Sequence, residues 1–270
     1  MSNQVAIVTG ATRGIGRAIA KRLIKGFGAE VVAYDEYCTP EQMMADGVKP
    51  VSLDELLSTS ELCQLIEKKG VRALPVYADI GRLEDISAMF EQIDKVYPQI
   101  HLLVNNAGIS DEVYFLDATP EQFEHMTCVD WRGVYFCSQY AAKRMIAKNI
   151  KGLIINVSSN QAEANWPRST IYGPTKAAVS KFTKNAAMEL SLHGIRMVAI
   201  APGYTDIGWP ADSHLREARD RLPLKRFAQP EEIAKGVAFL ASPDATYMTG
   251  CTLTMDGGAT LPVVAANDFI

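Results

Sequence analysis

Three residues in the second half of the chain have the types and the spacing of a proton-transfer site. Ser159 precedes Tyr172 by thirteen residues, and Lys176 follows the tyrosine by four. Four residues make about one helical turn, so Tyr172 and Lys176 lie on the same face of a helix. Because Pro174 is tolerated only in a first turn, this helix must begin close to Tyr172. The pKa of a phenol is about 10, too high for a base at neutral pH, but a nearby ammonium favours the phenolate. The spacing therefore indicates a tyrosine that exchanges a proton, although such pairs also occur on ordinary surface helices.

A second chemical signal lies near the start of the chain, where residues 9–16 read T-G-A-T-R-G-I-G. Glycines let the backbone turn tightly and approach a pyrophosphate, and the free N–H groups at the start of a helix face its charge. The segment predicts a dinucleotide-binding turn, while a tight strand-to-helix turn without a ligand would use the same glycines. The predicted binding residues of the turn are Gly10, Arg13, Gly14, Ile15 and Gly16.

An acidic residue further along the chain bears on the choice of dinucleotide. Asp35 follows Gly16 by nineteen residues, at the end of the second apolar run. A carboxylate there can accept hydrogen bonds from both ribose hydroxyls of an adenosine, and it repels a 2′-phosphate, which favours NAD. Arg13 has the opposite effect, since a cation in this turn could pair with a 2′-phosphate. NAD is therefore the expected cofactor, with NADP as the alternative.

The elements that must position these residues alternate between strand and helix. Most strands are apolar on both sides, as strands covered by helices on both faces should be. This pattern predicts an α/β fold of the Rossmann type, a doubly wound parallel sheet. Without an internal repeat or a linker, residues 1–270 are expected to form a single domain. The predicted strands are 5–8, 31–34, 73–77, 101–104, 153–157, 196–200 and 251–255.

Capping signals mark three of the expected helix starts. Thr39, Thr119 and Gln229 each precede a Pro-Glu pair, which is typical of a capping box or a related start. One helix is enough to connect the second strand to the third. The segment 37–58 is therefore predicted to be an insertion.

Composition limits the class of protein and its partners. The chain has 48% apolar and 21% charged residues and a formal charge of −4 at pH 7, with no long basic run, so nucleic acid is not an expected partner. No apolar run is long enough for a membrane span or a signal-peptide core. Five cysteines without a C-x-x-C pair and four histidines without a paired motif predict neither disulfides nor a metal site. A cytoplasmic, metal-free protein is expected.

Taken together, these motifs resemble the short-chain dehydrogenase/reductase family over nearly the whole chain. The glycine turn comes first, followed by Asn105-Asn-Ala-Gly108 after the fourth strand. Ser159 with the Tyr-x-x-x-Lys pair and then Pro202-Gly203 after the sixth strand complete the family order. The resemblance implies a Rossmann-type enzyme that uses NAD or NADP.

The resemblance also implies roles for individual residues. Tyr172 would be the general acid/base, Ser159 would hold the substrate oxygen, and Lys176 would lower the tyrosine pKa and bind the nicotinamide ribose. Further cofactor contacts would come from three places. Asp79 and Ile80 would lie near the adenine, and Asn106, Ala107 and Gly108 would form the turn beside the adenosine ribose. Pro202, Gly203 and Thr205 would lie at the nicotinamide end, with Tyr172 and Lys176 beside them.

Three features depart from the family pattern. The fourth catalytic residue of the family is usually an asparagine, and this chain has Asp130 in V-D-W-R-G. If the position holds a relay water through its main-chain carbonyl, Asp130 can still serve, and its carboxylate near Lys176 would alter the pH profile. Ile207 stands where a threonine is common, which leaves Thr205 as the candidate hydroxyl for the nicotinamide. The 37–58 insertion emerges near the adenosine side, where it either covers the cofactor or is a peripheral decoration.

The substrate is expected beside Ser159 and Gly203, since both follow the carboxyl ends of strands. Residues 160–168 read N-Q-A-E-A-N-W-P-R, and these donors and acceptors fit a sugar or polyol better than a steroid or a long acyl chain. They would equally suit a segment that faces water. Residues 204–228 carry mixed charges at helical spacing, which is typical of a solvated helix, and their length suggests a lid over the nicotinamide.

The expected function is hydride transfer between the nicotinamide of NAD(P) and a secondary alcohol or ketone, with a small sugar- or polyol-like substrate. Two alternatives stay open: a 3-oxoacyl-thioester reductase that uses NADPH, and a non-catalytic dinucleotide-binding protein on the same fold. The family commonly forms tetramers, and the apolar content of residues 131–145 and 177–190 suits such faces. A homotetramer is therefore expected.

Overall fold

Seven parallel strands form one sheet in the computed structural model, which describes residues 4–27, 30–35, 59–68, 70–208 and 213–261. The strand order is β3-β2-β1-β4-β5-β6-β7. Each predicted strand lies within two residues of an observed one at both ends, and the doubly wound parallel sheet is confirmed. The strands are β1 (Val5–Thr9), β2 (Glu30–Asp35), β3 (Ala73–Tyr77), β4 (Leu102–Asn105), β5 (Leu153–Val157), β6 (Arg196–Pro202) and β7 (Thr252–Met255).

Helices connect the strands and cover both faces of the sheet. In chain order over the described residues, they are α1 (Gly14–Phe27), α2 (Thr59–Glu67), α3 (Leu83–Val96), α4 (Pro120–Thr127), α5 (Val134–Ala147), α6 (Tyr172–Ser191), α7 (Ser213–Arg221) and α8 (Pro230–Ala241). A π-helical turn, Cys128–Gly133, joins α4 to α5, and a 3₁₀ turn, Asn160–Ala162, follows β5.

The alternate residues of β1 show how the two cores are divided. Ala6 and Val8 belong to one apolar cluster with residues of α1, α2 and α8, whereas Val5 and Ile7 belong to a second with residues of α3, α5 and α6. All five residues of β1 are buried. A central strand that is apolar on both faces is therefore explained by a helical layer on each side.

The sheet reverses its winding at β1, which pairs with β2 on one side and β4 on the other. Open α/β sheets bind their ligands in the crevice at such a reversal, outside the carboxyl ends of the strands. Beneath this crevice the side chain of Asn105 donates to Asn156 Oδ1 over 2.8 Å and to Ser138 Oγ over 2.9 Å. These hydrogen bonds between buried side chains fix β4 against β5 and α5 where the crevice opens.

Two of the three predicted helix starts lie within the described residues. Thr119 caps α4, since its Oγ1 accepts from Gln122 N and its own N–H donates to the Gln122 side chain. At the start of α8, the backbone N–H of Gln229 donates to the Glu232 carboxylate over 2.9 Å. Thr39 and the predicted insertion 37–58 lie outside the described residues.

The segment 204–228 contains α7, which agrees with the helical spacing of its charges. Within the described ranges, no helix combines the length and the apolar character needed to cross a bilayer.

Candidate active site

The turn between β1 and α1 brings the backbone unusually close to a neighbouring loop. Gly10 and Gly14 have φ angles of +63° and +50°, which favour glycine. A Cβ on Gly16 would lie 2.0 Å from the carbonyl oxygen of Gly10 and 2.4 Å from Asn106 Nδ2. The site of the third glycine therefore has no room for a side chain, and α1 begins within this turn, at Gly14.

The hydroxyl of Thr9 fastens this glycine turn to the loop after β4. Its Oγ1 accepts hydrogen bonds from the backbone N–H groups of Asn106, at 2.9 Å, and Ala107, at 3.0 Å. The side chain of Asn106 in turn donates to the carbonyl oxygens of Thr9 and Gly10. Sequence reasoning singled out Asn106 and Ala107 but missed Thr9, whose one signal was a hydroxyl at the end of a strand. These hydrogen bonds thus join the two predicted cofactor segments.

The predicted adenosine-side residues lie at the neighbouring strand ends. Asp35 ends β2 directly after Tyr34, which pairs with Thr9, so its backbone is next to the glycine turn. Asp79 Oδ1 accepts from the backbone N–H of Gly81 over 2.7 Å, which shapes the turn after β3. Ile80 is buried, and Arg13 is exposed. The sheet therefore gathers these residues at one edge of the crevice.

Tyr172 and Lys176 meet as the spacing predicted. Tyr172 is the first residue of α6, and the Thr175 hydroxyl donates to its carbonyl over 2.7 Å. One turn later Lys176 is buried, with its Nζ 5.4 Å from the centre of the Tyr172 ring and 3.4 Å from the Val157 carbonyl oxygen. The half-buried phenol therefore stands one helical turn from an ammonium that is shielded from water.

Ser159 lies directly after β5, at the start of the 3₁₀ turn. Its Oγ accepts from the backbone N–H of Gln161 over 3.2 Å and donates to Asn160 Oδ1 over 3.4 Å. The hydroxyl of the preceding Ser158 donates to the Lys176 carbonyl over 3.0 Å and lies 2.8 Å from Ser180 Oγ. Ser158 thereby ties the end of β5 to α6, and with it Ser159 to the helix of Tyr172. Nothing in the sequence predicted the hydrogen bond between Ser158 and the Lys176 carbonyl.

Asp130 is carried into the site by the π-helical turn. Its side chain is fully buried; Oδ1 accepts from the backbone N–H of Ile109 over 2.9 Å, and Oδ2 lies 3.8 Å from Lys176 Nζ. Burial raises the pKa of Asp130, and the Lys176 ammonium opposes the rise. Burial also acts to lower the pKa of Lys176, but the charges of Asp130 and Tyr172 outweigh it and the pKa is raised. The two groups form a buried ion pair at the base of the site.

Gly108 passes directly beside this ion pair. A Cβ on Gly108 would lie 3.0 Å from Asp130 Oδ1 and 3.1 Å from Lys176 Nζ. The glycine of the predicted Asn-Asn-Ala-Gly segment is therefore in close contact with both catalytic candidates.

The loop after β6 turns back over the glycine turn. Pro202 ends β6, and Gly203 is so close to β7 that a Cβ on it would lie 2.7 Å from Asp256 Cα. Thr205 is buried, and its hydroxyl donates to the Gly203 carbonyl over 3.1 Å. A Cβ on Gly14 would be 3.1 Å from Ile207 Cγ2. Ile207 therefore lies next to the glycine turn, and the Thr205 hydroxyl donates within its own loop.

Aromatic and polar side chains link the two predicted substrate segments. The Trp166 indole N–H donates to the hydroxyl of Tyr204 over 3.2 Å, and the Tyr204 ring stacks on Phe227 with 5.5 Å between centroids. Arg168 pairs with Glu112 at 3.3 Å and connects the segment to the loop after β4. These contacts join three separate loops, and the sequence did not predict their pairing.

Acidic, histidine and cysteine side chains do not gather in threes at any point of the described ranges in a way that could hold a metal ion.

Comparison with known proteins gives matches across nearly the whole chain. A family model described as enoyl-(acyl carrier protein) reductase matches residues 10–260. Glucose 1-dehydrogenase 2 of Bacillus subtilis is 31% identical over 97% of this chain and 96% of its own length. The 3alpha-hydroxysteroid dehydrogenase of Mediterraneibacter gnavus is 34% identical, with 96% and 98% covered, and the 3-oxoacyl-[acyl-carrier-protein] reductase of Staphylococcus aureus is 32% identical, with 94% and 96% covered.

Solved structures agree with these relatives. A short-chain dehydrogenase from Burkholderia cenocepacia, determined in complex with NADP, superposes with a TM-score of 0.81 at 30% identity and covers 95% of this chain and 97% of its own. The relatives are named as dehydrogenases and reductases, which favours an enzyme over the non-catalytic alternative. The chain belongs to the short-chain dehydrogenase/reductase family, and it is an oxidoreductase that uses NAD(P).

Proposed function

We propose that this protein transfers a hydride between NAD and a secondary alcohol or ketone on a small polar substrate, with Tyr172 as the general acid/base. The observation that supports this most strongly is the half-buried phenol at the start of α6 with a buried ammonium one turn away, 5.4 Å from the ring centre. Ser159 stands at the end of the adjacent strand. Both lie at the carboxyl edge of the sheet, where the glycine turn also opens.

The proton chemistry follows from these three side chains. In the oxidative direction the phenolate of Tyr172 accepts the proton of the substrate hydroxyl, while the Ser159 hydroxyl donates a hydrogen bond to the same oxygen. The Lys176 ammonium stabilises the phenolate. In the reductive direction Tyr172 returns the proton to the carbonyl oxygen. NAD, when bound, supplies the hydride acceptor.

The described residues fit a dinucleotide. Gly16 has no space for a Cβ, α1 begins within this turn, and the N–H groups of a helix start suit a pyrophosphate. Asn106, Ala107 and Gly108 line the next loop, and Pro202, Gly203 and Thr205 form the loop on the nicotinamide side. Asp79 and Ile80 belong to the adenine side.

The preference for NAD rests on Asp35. Its place at the end of β2, beside the glycine turn, is where a carboxylate accepts hydrogen bonds from a ribose diol and opposes a 2′-phosphate. Arg13 is exposed in the same turn and acts in favour of NADP. The Burkholderia relative holds NADP, so the two residues must be weighed by experiment.

A sugar or a polyol is the proposed substrate class. Asn160 and Gln161 follow Ser159 directly, and the Tyr204 hydroxyl, which accepts from Trp166, can still donate its own proton. These polar groups can exchange hydrogen bonds with a molecule that has several hydroxyls. The Bacillus relative is named a glucose dehydrogenase. A second candidate, reduction of a 3-oxoacyl thioester with NADPH, is favoured by the Staphylococcus relative.

Exposed apolar side chains support the proposed homotetramer. Tyr135 on α5 and Met188 on α6 are 37% and 76% exposed, and Leu192 just after α6 is 85% exposed. These side chains lie on α5 and at the end of α6, the two segments expected to form interfaces between copies. Light scattering at micromolar concentration should give four times the monomer mass, and a monomer would contradict the proposal. The cytoplasm is the proposed location, consistent with the free cysteines Cys63, Cys128, Cys137 and Cys251.

The function is tested with a panel of sugars, polyols and 3-hydroxyacyl thioesters, each assayed with NAD and with NADP by absorbance of the reduced nicotinamide. The highest kcat/KM is expected for a sugar or polyol with NAD. The matched control is Tyr172→Phe, which keeps the ring. A higher kcat/KM for a hydroxyacyl thioester with NADP would instead support the second candidate.

A further inference from the structure

The ion pair between Asp130 and Lys176 is sealed from water. The side chains of the two residues are 0% and 4% exposed, and the charged atoms Oδ2 and Nζ are 3.8 Å apart. Oδ1 is held by the backbone N–H of Ile109. Oδ2 has no hydrogen-bond partner among the described residues, so Lys176 is its electrostatic partner. A buried charge that loses its partner is strongly unfavourable, which links the charge states of the two groups.

The other charges around the pair lie at the surface. His125 on α4 and Asp111 in the loop after β4 act on Asp130 through space, and the side chains of both are exposed. Tyr172 acts on Lys176 from the same helix. Exposed charges are screened by solvent, whereas the buried pair is not. Asp130 is therefore the dominant anion that Lys176 meets.

We propose that Asp130 is a positioning residue that neutralises much of the Lys176 charge and thereby raises the pH at which Tyr172 becomes a phenolate. This inference rests on the proposed role of Tyr172 as general acid/base. With Asp130 ionised, a neutral phenol completes a charge-balanced trio and a phenolate leaves one excess negative charge. With a neutral amide in place of the carboxylate, the phenolate would itself balance the ammonium.

The consequence is that the Asp130 carboxylate and the Tyr172 phenolate compete for the same ammonium. The carboxylate lies 3.8 Å from the ammonium and both side chains are buried, so the carboxylate offsets much of the field that the ammonium exerts on the phenol. Removing that charge without changing the shape should lower the midpoint of tyrosinate formation by about one pH unit. At a fixed pH below the midpoint, the phenolate fraction would rise by roughly tenfold.

The test follows tyrosinate absorbance in the near ultraviolet and needs no substrate. Subtracting the titration curve of Tyr172→Phe from that of the wild type isolates the signal of Tyr172. Subtracting the curve of Asp130→Asn/Tyr172→Phe from that of Asp130→Asn isolates the same signal without the carboxylate. We expect the midpoint of the second difference curve to be about one pH unit lower than that of the first. The matched control is Asp111→Asn, which removes the same charge at the surface and should shift the midpoint by less than about 0.3 unit.

An unchanged or higher midpoint in Asp130→Asn would overturn the proposal. If that variant does not fold, wild-type protein labelled with ¹³C at the aspartate carboxyls decides the question by NMR. A carboxylate at every labelled aspartate at neutral pH is expected, and a neutral carboxylic acid persisting there would overturn the proposal. Neither readout uses turnover, so a failure of this proposal can be told apart from a failure of the proposed function. A Tyr172→Phe variant that keeps its activity would reveal the latter.

Discussion

The hydroxyl of Ser158 donates a 3.0 Å hydrogen bond to the backbone carbonyl of Lys176 and so joins the end of β5 to the first turns of α6. This bond connects the element that carries Ser159 to the one that carries Tyr172. The geometry of the site therefore depends on the buried hydroxyl of Ser158.

Ser158→Ala should loosen this connection. Loss of a buried hydrogen bond with one partner left unsatisfied costs about 1–3 kcal/mol of unfolding free energy, and kcat should fall more than dinucleotide affinity. Chemical denaturation and steady-state kinetics measure the two effects. Ser180→Ala, which removes the other hydroxyl partner of Ser158, is the control: it should affect stability but leave kcat within about threefold of the wild type. Equal losses of kcat in both variants would contradict the connecting role.

Gly16→Ala should abolish dinucleotide binding. The added Cβ would lie 2.0 Å from the Gly10 carbonyl oxygen, so the turn between β1 and α1 must open. Fluorescence titration with NADH measures the affinity. Gly70→Ala is the control, because a Cβ there meets nothing within 4 Å and the cost is confined to its positive φ of +77°. Normal NADH affinity in Gly16→Ala would refute the assignment of this turn.

Lys176→Met should lose both turnover and dinucleotide affinity, since the ammonium has a role in each. It should also destabilise the fold by about 3 kcal/mol, because Asp130 is then left buried without its partner. Adding Asp130→Asn to this variant should recover part of the stability but none of the turnover. Denaturation midpoints and NADH titrations of the single and double variants check this, and recovered turnover in the double variant would count against the role of Lys176.

Asp35→Ala should narrow the preference for NAD. The carboxylate and a 2′-phosphate at about 4 Å would repel by about 4 kcal/mol at an effective dielectric near 20. Even if solvent screens most of this repulsion, the energy that is left favours NAD at least about tenfold in the wild type. Without the carboxylate, Arg13 can bind the 2′-phosphate. The ratio of kcat/KM for NAD and NADP in both proteins measures this. A wild type that uses NADP equally well or better would mean that Arg13 dominates.

The sequence predicts the elements well because its signals are local. Apolar runs and the Tyr172–Lys176 spacing gave the strands and the shared helical face, since both depend on residues a few positions apart. The contacts of Thr9 with the loop after β4 and of Trp166 with Tyr204 join residues 97 and 38 positions apart. No periodicity encodes such pairs. The π-helical turn that buries Asp130 likewise depends on tertiary packing.

The most direct test of the account compares wild type with Tyr172→Phe on the best substrate of the panel, by absorbance of the reduced nicotinamide. Without the titrating oxygen, turnover should fall by at least about 100-fold, because general acid/base catalysis is lost. NADH affinity should stay within about threefold, because the aromatic ring and the glycine turn remain. Near-wild-type turnover in Tyr172→Phe would contradict the assignment of Tyr172 as the general acid/base.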